Sequence, residues 1–404
     1  MNIEEQVATL MQGTEYGDVE LKNAMQKELH ERLIQAQVEK RPLRVYAGFD
    51  PRTTDLHLGH TIPMGKLRQF QDFGHEVTFL IGTYTSLIGD PSDQDNLRPQ
   101  LTPEEVEENA QTYAQQAFRV LDPKKTQVRK NAEWLAELNF ADLIKFSSHF
   151  TIQQFLTREN FKLRFEKGDP IYLHETFYSI MQAYDAYILK ADVQVGGSDQ
   201  LFNIITAGRK LMKALGAKPN VGIVMGILPG TDGVIRMSKS LGNHIPLNTD
   251  AKDMYGKVMS VPDLAMPDYF RLATRWSASE VADTEVDIES GALHPRDAKM
   301  KLAREITERF YDTDAAVAAE EAFVQVFQKG KLPDEMPEHK LEADQSVLDV
   351  LIAGAMVKSR GEGRRLIKQN GVSLDGEKLH DPNQPFPHSG VLRAGKRRFL
   401  RVVE

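Results

Sequence analysis

The chain has 404 residues, 41% hydrophobic and 27% charged, with no cysteine. Disulfides and thiolate metal centres are therefore excluded, which fits a reducing compartment, and the length suggests two to four domains at ~100–200 residues each. The net charge of −8 has the wrong sign for a nucleic-acid binder, yet from Leu341 onward 11 Lys and Arg stand against 8 Asp and Glu, so the tail is the basic part. The opening segment, MNIEEQVATLMQGTEYGDVELK, has no basic region followed by an apolar core and a small-residue cleavage site. No apolar run approaches the ~20 residues of a membrane helix. No secretory signal or membrane span is expected, and the expected location is the cytoplasm.

Residues 1–40 read as helix, with Leu and Met spaced among many charges. LRVYAGFD (43–50) is β-rich, TIPMGKLRQFQDFG (61–74) reads as a helix closed by Gly74, and HEVTFLIGTYTSLIGD (75–90) begins as an apolar strand. Strand, helix and strand at this spacing predict parallel pairing with a right-handed crossover. Residues 103–120 form an amphipathic helix, with Thr102 as N-cap and Glu105 closing the capping box. A largely helical stretch follows from about Asn131 to Leu189. KADVQVGG (190–197) is a strand, QLFNIITAGRKLMKALG (200–216) a helix, and VGIVMGILPG (221–230) a strand again. After Leu241 the pattern is helical to about Lys331. The Pro- and acid-rich LPDEMPEHKLEAD (332–344) reads as a linker to a small module at 345–404. This alternation predicts an α/β fold with a doubly wound parallel sheet, whose ligands bind at the carboxyl ends of the strands.

Two segments carry candidate chemistry. Asp55-Leu56-His57-Leu58-Gly59-His60 follows the first strand and opens a helix. Free N–H groups and the positive dipole end favour anions there, and two imidazoles three residues apart can donate to phosphate oxygens. Gly59 leaves room for a flat group against the backbone. Taken alone, the pair could equally be surface or metal-binding histidines. Arg236-Met237-Ser238-Lys239-Ser240 follows the last strand and a Gly-rich turn, and its two cations and two hydroxyls suit a polyanion. Alone, it could be an exposed basic loop. GxxxxGK[ST] is absent, and no GxGxxG follows the first strand, so neither an ordinary phosphate-binding loop nor a dinucleotide site is expected. Tyr178, Gln182 and Asp185 fall on one helix face, a polar stripe that needs partners if buried.

HxGH after the first strand with MSKS about 180 residues later resembles the paired signatures of class I aminoacyl-tRNA synthetases, and implies a Rossmann-like catalytic domain. Tyr46-Ala47-Gly48-Phe49-Asp50-Pro51, Ile88-Gly89-Asp90-Pro91-Ser92, Leu173-His174-Glu175 and Gly196-Gly197-Ser198-Asp199-Gln200 resemble the tyrosyl-tRNA synthetase family. The resemblance implies that His57, His60, Arg236 and Lys239 act on the phosphates. It implies ATP contacts from Gly48, Asp50, Gly59, Arg98, Gly197, Asp199, Met237, Ser238 and Ser240. For tyrosine it implies Tyr46 and Asp185 at the phenol, Asp90, Tyr178 and Gln182 at the α-ammonium, and Thr85 and Gln200 beside them. Arg52, Asp93, Gln94 and Arg236 depart from residues usual in relatives. ATP with Mg²⁺ is the implied cosubstrate, with no metal held by the protein itself.

The order Ser346-Val347-Leu348, Ser359-Arg360-Gly361, Arg364-Arg365-Leu366-Ile367 and Gly371-Val372-Ser373 resembles the S4 RNA-binding domain. A short helix pair followed by a hairpin would put Arg360, Arg364, Arg365 and Lys368 on one side for a phosphate backbone. The implied organisation is a catalytic domain at 1–245 with a helical N-terminal extension (1–40) and a helical insertion at about 130–190. A helical anticodon-recognition domain (246–331), a linker (332–344) and an α+β S4-like domain (345–404) follow. The resemblance also implies a homodimer, with its interface in the insertion, and tRNA(Tyr) as partner. A tryptophan-specific relative and a non-catalytic RNA-binding relative are the alternatives.

Overall fold

A computed structural model of the chain describes residues 2–52, 55–92, 101–328, 336–342, 344–395 and 398–403. It divides into two compact units, residues 1–316 and 317–404. Arg98, Asp93 and Gln94 lie outside the described residues.

The first unit is built on five parallel strands: β1 (Arg44–Phe49), β2 (Glu76–Ile81), β3 (Thr126–Lys130), β4 (Val193–Gly197) and β5 (Val221–Met225), in the order β3-β2-β1-β4-β5. The winding reverses between β1 and β4, so the expected crevice lies at Asp50 and Gly197, at their carboxyl ends. Val45, Ala47, Phe79, Val193, Val195 and Ile223 are buried, as both faces of a helix-covered parallel sheet require. Helix α3 (Thr61–Asp72), preceded by α1 (Ile3–Met11) and α2 (Val19–Val38), lies on this sheet through Ile62, Met64, Leu67 and Phe70, and Gly74 stops the chain at φ +85° beyond it. Helix α4 (Pro103–Ala117) carries the expected Thr102–Glu105 capping box.

The segment that reads as one N-terminal helix is two. Between them residues 13–16 run along β5: Glu15 N donates to Val224 O at 2.8 Å, Gly226 N to Gly13 O at 3.1 Å, and Tyr16 OH to Gly222 O at 2.6 Å. This covers an edge that would otherwise expose unpaired backbone. Strand β3 is not anticipated by the sequence pattern; TQVRK is a polar edge strand without apolar alternation. After β4 the expected helix begins as a single turn at Ser198–Gln200, passes through a π-helical stretch at Phe202–Gly208, and becomes α10 (Arg209–Ala214) only then.

Between β3 and β4 lie α5 (Ala132–Leu135), α6 (Phe140–Ser147), α7 (Ile152–Leu156), α8 (Glu159–Lys167) and α9 (Leu173–Ile188). Beyond β5 come α11 (Ala251–Met259), α12 (Met266–Ala273), α13 (Ala278–Ser290), α14 (Pro295–Phe310) and α15 (Thr313–Phe323). The second unit holds β6 (Glu338–Lys340), α16 (Val347–Ala353), α17 (Arg360–Lys368), β7 (Val372–Leu374), β8 (Glu377–Lys378), β9 (Gly390–Ala394) and β10 (Arg398–Val403). The expected hairpin is thus part of a five-stranded sheet, β6-β10-β9-β7-β8, and β6 falls within the segment that reads as linker. Val347, Leu351, Ile367, Leu392 and Leu400 form the core of this unit.

Candidate active site

A cleft of about 500 Å³ opens at the winding reversal of the parallel sheet. Every residue expected at the phosphates, ATP and tyrosine lines it except Arg98, which is outside the described residues.

The first signature segment is tied by backbone to the chain just beyond the second. Leu58 N donates to Ile245 O at 2.8 Å and Leu247 N to Leu56 O at 3.0 Å, with His57 bridged to Pro246. His57 and His60 pack ring to ring at 3.9 Å between centroids. His57 N donates to His60 Nδ1 at 3.2 Å, which leaves the imidazole hydrogen on Nε2. Burial holds His60 down at about 4, with Arg236 adding to the effect. Burial, then His60, His244 and Arg236, hold His57 far below its ordinary value. Both rings are therefore neutral donors at physiological pH. The space beside Gly59 is taken first by His57: a Cβ there would sit 3.1 Å from its Cε1 and Nδ1.

The loop after β5 faces these histidines. Met237 is buried and its N donates to Leu228 O at 3.1 Å, while Asn243 Oδ1 accepts from Ser238 N at 2.8 Å. Ser238 and Ser240 hydroxyls are 2.9 Å apart. Lys239 Nζ sits 2.9 Å from Asp55 Oδ2, an exposed pair that solvent screens and a phosphate can displace. Arg236 approaches Asp199 at 4.0 Å.

At the other end the cleft closes on a polar network. Tyr46 is 2% exposed and its hydroxyl has no partner among the described residues. Asp185 accepts from Trp134 Nε1 at 2.7 Å and from Asn131 Nδ2 at 3.2 Å. Asn131 also donates to the Thr85 hydroxyl at 3.0 Å, which donates to Asp50 Oδ1 at 2.8 Å. Tyr178 OH donates to Asp50 Oδ2 at 3.1 Å. Burial pushes Asp185 up to about 8, against the pull of Trp134 and Asn131, and Asp50 up to about 6, against Thr85 and Tyr178. Gln182 Oε1 is also without a partner among the described residues. Asp90 is engaged by its own set of donors. It accepts from Ser92, Arg158 and Gln200, and these bonds hold it below its ordinary value although burial pushes the other way.

Sequence reasoning does not find Asn131, Trp134 and Arg158. Each reaches the site from outside the signature segments, and the one available signal is a tryptophan three residues after an asparagine in a chain with two tryptophans. Arg52 is committed in part to the fold: Nη1 donates to Ser86 O at 3.0 Å.

A family model described as tRNA synthetases class I (W and Y) matches residues 38–328, and one described as a tyrosine–tRNA ligase SYY-like C-terminal domain matches 327–402. The tyrosine–tRNA ligase of Desulfotalea psychrophila is 48% identical over 366 residues, 90% of each chain. That of Carboxydothermus hydrogenoformans is 45% identical over 94% of each. The chain belongs to the tyrosine–tRNA ligase family of class I tRNA synthetases. Its fold is shared more widely. The tyrosyl-tRNA synthetase of Archaeoglobus fulgidus, solved with L-tyrosine, superimposes with a TM-score of 0.62 at 20% identity, covering 79% of this chain and 100% of that one. A tryptophanyl-tRNA synthetase from Encephalitozoon cuniculi reaches 0.55 at 16%, covering 79% and 96%. Fold alone therefore does not select the amino acid in this family.

On the second unit, Arg364, Arg365 and Lys368 stand exposed on α17. Arg360 is exposed too, though its guanidinium is paired with Asp349 of α16. The four lie along one helix at the expected spacing. Among the described residues no helix is long and apolar enough to cross a membrane.

Proposed function

We infer that the chain activates L-tyrosine with ATP, releasing pyrophosphate from a tyrosyl-adenylate, and then transfers tyrosine to the 3′ end of tRNA(Tyr). The observation that carries this is one cleft with His57, His60, Arg236 and Lys239 at one end and the unpartnered Tyr46 hydroxyl beside Asp185 at the other. The substrate carboxylate attacks the α-phosphate, so no side chain need act as a nucleophile. The two neutral imidazoles and the two loop cations stabilise charge on the phosphates as pyrophosphate leaves, an electrostatic and positional catalysis. Gly48, Gly59, Met237, Ser238 and Ser240 frame the nucleotide, with Asp50 beside it; Arg98, outside the described residues, keeps only the ATP role that the family resemblance implies. Asp199, after Gly197, accepts from ribose hydroxyls, as acidic residues do at other nucleotide sites. Mg²⁺ enters with the phosphates, whose oxygens are its usual ligands.

The amino acid lies with its phenol at Tyr46 and Asp185. Its ammonium lies among Asp90, Gln182, Gln200 and Tyr178, with Thr85 fixing the floor between. ATP–pyrophosphate exchange should depend on tyrosine. Exchange driven by tryptophan instead would overturn the reading.

The 246–331 helices are assigned to the anticodon region. Residues 345–404, through Arg360, Arg364, Arg365 and Lys368, are assigned to the tRNA backbone, where clustered cations release counterions. Dependence on ATP and tRNA fits the cytoplasm.

The insertion is assigned to a homodimer interface. Phe140 and Ile144 on α6, Phe165 on α8 and Leu173 at the start of α9 are all more than half exposed, an apolar display that monomers avoid. Phe165→Asp is expected to shift the native mass from dimer to monomer in light scattering. A dimer of unchanged stability in that variant would place the interface elsewhere.

A further inference from the structure

We propose that Arg158 is a positioning residue for the amino-acid site: from the start of α8 it holds the Asp90 carboxylate in the orientation that receives a substrate ammonium. The proposal rests on the reading of Asp90 as an ammonium ligand.

Arg158 occupies the N-cap of α8, yet makes no capping bond. A residue there normally offers a side-chain oxygen to the free N–H groups of the first turn, and a guanidinium has none to offer. Its side chain is instead 4% exposed and turned inward. Nη2 donates to Asp90 Oδ1 at 2.9 Å and to the Ser92 hydroxyl, and Nη1 to the Ser179 hydroxyl at 3.4 Å. Two residues on, Asn160 Nδ2 donates to the Pro91 carbonyl. The start of α8 thus grips the Asp90–Ser92 turn both on its side chains and on its backbone.

The arrangement divides the carboxylate. An ionised carboxylate has about four acceptor positions. Oδ1 is filled by Arg158 and by Ser92, through N at 2.9 Å and Oγ at 2.6 Å. Oδ2 receives Gln200 Nε2 and keeps a position for a donor from the cleft, which Asp90 lines. Asp50, just after β1, Asp185 on α9, and Asp199, which contacts Gln200 at 3.4 Å, are the other carboxylates lining the cleft. Arg158 is the cation paired with Asp90 among the described residues. Without it, Asp90 becomes a buried carboxylate beside like charges, free to rotate or take a proton. A buried guanidinium is itself costly unless matched, so the pair also explains why an arginine is tolerated here.

Two probes separate positioning from general damage. Tyramine carries the phenol and the ammonium; 3-(4-hydroxyphenyl)propionate carries the phenol and no ammonium. In Arg158→Gln, measured by competition with tyrosine in the full-length protein, tyramine should weaken ~10-fold, the size of a charge-assisted hydrogen bond. The propionate should stay within ~2-fold. Should the Gln variant not fold, Arg158→Lys is measured instead, with a smaller shift confined to the same probe. Equal weakening of both probes, or none of tyramine, overturns the role of Arg158. Asp90→Ala is the control: if it leaves tyramine binding unchanged, the reading of Asp90 has failed first.

Discussion

Asp185→Asn combined with Tyr46→Phe should cut the preference for tyrosine over phenylalanine by ~10²-fold or more. Rejection of phenylalanine by ~10⁵ is already established for tyrosyl-tRNA synthetases as a class, and that figure sets the scale. The physical source is visible in the closed end of the cleft. The Tyr46 hydroxyl is buried without a partner among the described residues, and Asp185 is 2% exposed. A ring lacking its hydroxyl would set carbon against both polar groups, leaving the Tyr46 hydroxyl without a partner and the remaining bonding position of Asp185 unfilled. Tyrosine's hydroxyl would satisfy both. Because burial pushes Asp185 up to about 8, the pocket holds mostly a neutral acid at physiological pH. That acid and the Tyr46 hydroxyl can each give or take a hydrogen bond with a phenol, but with no C–H group. Replacing them removes ~0.5–1.5 kcal/mol of selective bonding at each neutral group and lifts the ~1–3 kcal/mol penalty that phenylalanine meets at a buried group left unpaired. The loss should fall on kcat/KM for tyrosine, while phenylalanine is unchanged or improved. Trp134 can still donate to the amide oxygen, so the fold should survive. A selectivity ratio equal to that of the parent would show that the hydroxyl is read elsewhere.

How much of this is legible in the sequence follows from how each part is encoded. The two signature segments are contiguous, and each sits where a strand ends, so their chemistry can be read from adjacent residues. The stripe of Tyr178, Gln182 and Asp185 follows from helical spacing alone. What cannot be read is the set of partners. Asp185 is held by Asn131 and Trp134 from the β3–α5 junction, and Asp90 by Arg158 from the cap of α8; beyond the rarity of that tryptophan, nothing local marks those residues. Tyr178 and Asp90, expected on one ammonium, are each engaged with other groups, Tyr178 with Asp50 and Asp90 with Arg158. Strand β3 escapes because a polar edge strand lacks apolar alternation. The π-helical turn after β4 escapes because a shift of hydrogen-bond register leaves the apolar composition of Phe202–Gly208 unchanged.

His60→Ala should lower the rate of tyrosine-dependent pyrophosphate exchange by ~10²–10³-fold, the loss expected when one preorganised donor is removed from a developing anion. KM for tyrosine should hardly move, because the closed end of the cleft is untouched. Proton placement decides the effect. His60 accepts the His57 backbone N–H on Nδ1, so its own hydrogen is on Nε2. Held down at about 4, the ring takes a second proton only in acid. Its contribution is therefore a neutral hydrogen bond whose value lies in being already aimed. Two consequences distinguish this from general acid catalysis. Between about pH 6 and 9 the ratio of parent to variant rates should stay constant, since a group held near 4 does not ionise in that range. His60→Asn keeps an N–H donor near the same place and should retain part of the rate that His60→Ala loses, since alanine also removes the ring packed against His57. A parent-to-variant ratio that collapses as pH rises would mean the imidazolium, and not the neutral ring, does the work.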